Sequence, residues 1–157
     1  MKQILRNQAQ REAFIRDCVL IIENQVKSQN GISGLAIKNA YRMLNKLTPG
    51  ATWQATEILV DDFAEKIEPY LQEFTKKHSD YQQLANFLES KAEIIAESFL
   101  EVTDAKAHNF DSSMLLAFYK TLRPHARKHV ERAVPDIAFV LYKYLVTPAG
   151  IEPASAT

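Results

Sequence analysis

The sequence predicts an all-α fold: a single-domain bundle of about six helices built from two similar three-helix halves. Three observations carry this prediction. Apolar residues recur at three-to-four spacing along most of the chain, and nowhere is there the sustained alternation of a half-buried strand. Only four glycines occur, three of them between positions 31 and 50, so most of the chain lacks the residue that, after proline, weakens helices most. The chain also echoes itself at an offset of 74 residues: Glu57/Glu131, Val60/Val134, Asp62/Asp136, Ala64/Ala138, Tyr70/Tyr144 and Leu71/Leu145 are identical pairs, and Phe63/Ile137 and Ile67/Leu141 match in character. Self-similarity at a fixed offset reads as one helical unit used twice. The bundle is expected over residues 1–146, with halves at about 8–76 and 79–146 and a disordered tail at 147–157.

The first helix of the repeat is expected over residues 8–28, where Phe14, Cys18, Ile21 and Gln25, flanked by Ile15, Val19, Ile22 and Val26, share one broad face. The polar run from Ser28 to Gly31 stops it. Ser33 is placed to cap a second helix with Ile37, Ala40, Tyr41, Leu44 and Leu47 inward, ended by Pro49 and Gly50. A third starts near Thr52 as its cap and carries Phe63, Ile67 and Phe74. Pro69 lies inside that pattern, so a kink or break is expected just before it. The second half opens at the capping pair Ser79 and Asp80 and continues through Leu84, Leu88, Ile95, Phe99 and Val102, as one long helix or as two split near Glu89. Asp111, Ser112 and Ser113 cap a short helix with Leu115, Phe118, Tyr119 and Leu122 inward, stopped by Pro124. The last helix carries Val130, Val134, Ile137, Leu141, Tyr144 and Leu145, with Pro135 inside it. The expected core is Phe14, Ile21, Ile37, Leu44, Phe63, Ile67, Leu88, Ile95, Phe99, Phe118, Leu122, Val134, Ile137 and Leu141.

Composition bounds the function. A chain of 157 residues with 46% hydrophobic content can bury a core without a disulfide or a structural metal. Nineteen basic and nineteen acidic residues cancel, which argues against a strongly electrostatic partner such as duplex DNA. The lone Cys18 cannot form an internal disulfide and fits a reducing cytoplasm; among Ile15, Val19 and Ile22 it reads as a small buried hydrophobe. No stretch approaches the roughly 18 apolar residues of a membrane span, and the amino terminus lacks the apolar region of a signal peptide. A cytoplasmic protein without membrane contact is expected.

Charge is segregated. Glu89, Glu93, Glu97 and Glu101 form an acidic ladder at four-residue spacing, and like charges so placed repel by a few tenths of a kcal/mol per pair. Beyond it lies a basic segment, Lys120, Arg123, Arg127, Lys128 and Arg132. The economical account brings the two segments together on neighbouring solvated faces; the functional account makes one of them a docking surface for another protein. His125 and His129 are four apart, a spacing that lets two imidazoles share a metal from one helix, although surrounding cations oppose this. The bland reading is two exposed histidines. Phe118 and Tyr119 beside the basic residues of segment 120–132 have the composition of a nucleic-acid platform, yet they fall at the inward spacing of their helix, which favours core packing. No nucleophile elbow, Walker loop or dinucleotide fingerprint is present, and no cofactor is expected.

Four stretches carry a resemblance: "GISGLAIKNAYRMLNKLTPG" at 31–50, "LVDDFAEKIEPYL" at 59–71, "LEVTDAKA" at 100–107 and "LRPHARKHVERAVPDI" at 122–137. Through them the chain resembles an uncharacterised family of bacterial, mostly helical proteins, a domain of unknown function. The resemblance spans nearly the whole chain except the tail. It implies a bacterial cytoplasmic setting and brings no site residues. The reading that follows is a non-catalytic interaction or scaffold protein acting through the two charged segments. The alternative is a protein or enzyme that binds a metal or small molecule through His125 and His129, and a third is weak nucleic-acid binding through segment 120–132. Oligomeric state, and whether the halves enclose a pocket, are left open by the sequence.

Overall fold

The computed structural model describes residues 1–75 and 80–146, except for the side chains of Thr75 and Val146. All regular structure among them is helical: α1 (Lys2–Arg6), α2 (Gln8–Lys27), α3 (Gly31–Leu47), α4 (Ala51–Thr75), α5 (Tyr81–Ser90), α6 (Ala92–Lys106), α7 (Ser113–Leu122) and α8 (Ala126–Val146), with 3-10 turns at Ala107–Asn109 and Arg123–His125. The all-α class is as predicted. The number of helices exceeds the expected six because α1 precedes the first expected helix and because Lys91 divides α5 from α6. The expected tail at 147–157, and Ser79 and His78, lie outside the described residues.

Capping chemistry sets several of these boundaries. Asn7 Oδ1 accepts from the Gln10 amide at the start of α2, Asp80 Oδ1 from the Gln83 amide at α5, and Ser112 Oγ from the Leu115 amide at α7, at 3.1, 2.8 and 3.1 Å. Two expected caps are corrected. α3 begins at Gly31, two residues before Ser33, because Gly31 takes the left-handed φ of +77° that joins Asn30 to the first turn. Thr52 lies inside the first turn of α4, buried, with its hydroxyl 3.4 Å from the Tyr41 hydroxyl. The break expected before Pro69 is also absent: α4 runs through Pro69, as α8 runs through Pro135.

α8 packs on α2, α5 and α6; α4 packs on α2 and α6; α3 packs on α7. The core falls into two clusters. One gathers Phe14, Ile15, Val60, Ile67, Leu71, Leu84, Leu88, Ile95, Val134 and Leu141, and the other Val26, Ile37, Leu44, Leu59, Val102, Leu115 and Phe118. Burying side chains of this size contributes about 1.5–3 kcal/mol each. Tyr81 closes one end, edge-on to Phe139 and Tyr142. The outer row of α3, Ile32, Leu35, Met43 and Leu47, stays exposed. No helix among the described residues is long and apolar enough to cross a membrane.

Of the predicted core, Ile21, Phe63, Phe99, Leu122 and Ile137 are only half-buried, although they sit at inward positions of their helices. All five border one apolar space between the helices.

Candidate functional site

That space is a cavity of about 320 Å³ walled by α2, α3, α4, α6, α7 and α8, and all five of the half-buried core residues line it. Members of both core clusters contribute, among them Phe14, Val60 and Leu141 from the first and Val26, Ile37 and Phe118 from the second. Native interiors keep few voids larger than a water molecule. An apolar void of about 150 Å³ stays dry and takes up benzene, and this one is about twice that size.

α4 and α8 face the cavity through equivalent positions. Thr52/Ala126, Ala55/His129, Thr56/Val130, Leu59/Ala133, Phe63/Ile137 and Ile67/Leu141 are pairs 74 residues apart, and both members of every pair line it. The helical period explains this: spacings of three and four keep those positions on one face over four turns. At three pairs one member is polar: α4 presents Thr52 and Thr56 where α8 presents Ala126 and Val130, and α8 presents His129 where α4 presents Ala55.

The wall carries no Asp, Glu, Lys or Arg side chain. Most of its polar groups are satisfied. Thr56 Oγ donates to the Thr52 carbonyl at 2.8 Å, Thr103 Oγ to the Phe99 carbonyl at 2.9 Å, Gln29 Nε2 to the Gln25 carbonyl at 2.7 Å, and the Tyr119 hydroxyl to Asp104. Three atoms are buried without a hydrogen-bond partner: Gln25 Oε1 and both ring nitrogens of His129. Desolvation, followed by the nearby His125 and Arg132, lowers the His129 pKa below its ordinary value, which holds the ring neutral. Burial pushes the Cys18 thiol up to about 12, so the cavity holds a thiol rather than a nucleophilic thiolate.

The charged residues singled out in the sequence are placed elsewhere. Arg127 pairs with Glu93, with Glu97 at 3.5 Å and with Glu131 at 3.2 Å; Arg123 pairs with Asp104 at 2.9 Å; Glu101 pairs with Lys66 at 3.6 Å. The Arg123 guanidinium, with the Tyr119 hydroxyl, holds the Asp104 carboxyl below its ordinary range. The acidic and basic segments therefore meet each other. Glu89 does not share the ladder: it sits on α5, before the break at Lys91, while the other three lie on α6. Lys120, Lys128, Arg132 and Glu89 make no ion pair among the described residues.

The two histidines also part company. His125, in a 3-10 turn, is exposed, whereas His129 turns into the cavity, which corrects the expectation of two exposed rings. Their centroids are 6.4 Å apart, and among the described residues no cluster of three or more His, Cys, Asp or Glu is placed to hold a metal. Phe118 is core, tilted against Tyr41. Gln25 was legible as the one polar residue on the apolar face of the first helix. His129 was legible too, because it shares a helical face with Ala126, Ala133 and Ile137.

The architecture is thus a helical bundle with an apolar pocket between its helices and three unpartnered polar atoms in the wall. The chain belongs to the family described as a family of unknown function (DUF6918), whose model matches residues 1–145. No curated protein and no solved structure matches it.

Proposed function

We propose that the protein binds a small lipophilic molecule in its central cavity and acts by holding and releasing it, without transforming it. The observation that carries this reading is the 320 Å³ apolar space itself. An apolar wall facing empty space or water forgoes van der Waals contacts that a guest would supply. Filling it with an apolar ligand restores those contacts, and a wall without charged side chains suits an uncharged guest. Binding without turnover is supported by the chemistry of that wall, where Cys18 is a protonated thiol and the Tyr119 hydroxyl is engaged by Asp104.

The reading includes two similar halves that clasp the ligand, supported by the six position pairs at the 74-residue offset that line the cavity from α4 and α8. A reducing, cytoplasmic setting in a bacterium is part of it, supported by the lone Cys18 and by the stretches that carry the family resemblance. Docking of a partner on the charged segments is less well supported, because Arg123, Arg127, Glu93, Glu97 and Glu101 already pair within the bundle.

The test is saturable binding of the uncharged probe N-phenyl-1-naphthylamine, followed by fluorescence, in the wild type and in Ala55→Phe, which places a ring in the cavity. The expected result is one apolar site in the wild type and at least tenfold weaker binding in the folded variant. Absence of binding, or equal binding by both proteins, would overturn the reading.

A further inference from the structure

We propose that the occupant of the cavity is an uncharged amphiphile carrying a single hydroxyl head, received by His129 and Gln25. This rests on the cavity reading above and names the ligand class for that site. Hydrogen-bond chemistry selects the head. A neutral imidazole offers one N–H donor and one acceptor nitrogen, and Gln25 Oε1 adds a second acceptor, so the three unpartnered atoms present one donor and two acceptors. Buried polar atoms are almost always paired, so a ligand head that both donates and accepts supplies hydrogen bonds that the protein does not.

A hydroxyl can meet the imidazole at either nitrogen, accepting from its N–H or donating to its bare nitrogen, and it can donate to Gln25 Oε1 where it accepts from the ring. A carboxylate brings no hydrogen and sets an anion against Gln25 Oε1 in a wall without a charged side chain. An ammonium cannot accept from the imidazole and has no carboxylate in the wall to balance it. An ether accepts but does not donate. The hydroxyls of the wall, on Thr52, Thr56, Thr103 and Tyr119, already donate within the protein and do not compete for the head. The tail meets Phe63, Ile67, Phe99, Ile137 and Leu141, an apolar lining from both halves. The lowered pKa of His129 fits this assignment, since the imidazole stays neutral and keeps both its donor and its acceptor.

The experiment displaces bound N-phenyl-1-naphthylamine with 1-decanol, decyl methyl ether and decanoate at pH 8, in the wild type, His129→Leu and Gln25→Leu. The expected result is that decanol competes about tenfold better than the ether and the carboxylate, the equivalent of one to two net hydrogen bonds. In His129→Leu that preference falls to within about threefold, while ether binding is retained. Gln25→Leu narrows it by a smaller factor and stands in should His129→Leu fail to fold. Naphthylamine binding with equal or better competition by decanoate, or an alcohol preference that survives both substitutions, would overturn the hydroxyl assignment and leave the cavity reading standing. No naphthylamine binding at all would overturn both.

Discussion

At the scale of single residues, His129 is the position where local stability and binding pull apart. Both its nitrogens are buried without partners, and an unsatisfied buried polar group costs about 1–3 kcal/mol. His129→Leu is therefore expected to stabilise the ligand-free protein by about 1 kcal/mol in urea titrations at pH 7, while lowering affinity for hydroxyl-bearing guests. Its pH dependence follows from the direction of the shift. The folded pKa lies below the ordinary 6.5, so below pH 6.5 the unfolded chain binds the proton more readily. The contribution is complete above 6.5 and is lost as the pH falls from there through the folded value. Urea midpoints of the wild type should decline over that window, and those of His129→Leu should decline less; parallel curves would refute the assignment. Gly34 is a second such position. A Cβ there would lie 2.7 Å from the backbone carbon of Gln29, so Gly34→Ala forces α3 away from its preceding loop and is expected to destabilise by about 1–3 kcal/mol.

At the scale of elements, helix existence was legible from period and caps, and helix ends were legible wherever a side chain reached the free amides, as at Asp80 and Ser112. α1 escaped because five residues are too few to show a period. Of the kink or break expected at Pro69, the break does not occur. Proline's cost in a helix interior is real, yet α4 and α8 are held along their length by packing on α2 and α6, and tertiary packing overrides the local preference. The cost should then be recoverable. Pro69 is exposed, so Pro69→Ala restores the missing amide without disturbing the core and is expected to raise stability by on the order of 1–3 kcal/mol, read as a higher urea midpoint at unchanged slope. The ion pairs belong to this scale as well, because they join α6 to α4 and α8. Arg127→Glu sets an acid among Glu93, Glu97 and Glu131. Its thermal midpoint should fall at low ionic strength, with the deficit shrinking as salt is added; a deficit indifferent to salt would mean that packing, not charge, holds Arg127.

At the scale of the whole molecule, the 74-residue echo named inward positions on α4 and α8 but not the space they border. A repeat states which residues point inward. It does not state whether two inward faces meet, since that depends on how far apart packing on third elements holds them. Ile67 and Leu141 are buried as their period predicts, Phe63 and Ile137 are only half-buried, and all four line the cavity. A cavity walled by six helices couples their packing to whatever fills it. A ligand that binds only the folded protein stabilises it by about 2.7 kcal/mol at a hundred times its dissociation constant, which for a domain of this size is a rise of roughly 5–10 °C. Ala55→Phe should reproduce part of that rise without ligand, by occupying the space from the wall, and should abolish the further rise on adding decanol. The two effects are linked: a side chain that fills the cavity and a guest that fills it compete for the same volume, so their stabilisations cannot add. Additive shifts in differential scanning fluorimetry would show that decanol binds elsewhere, and the cavity would lose its claim to be the site.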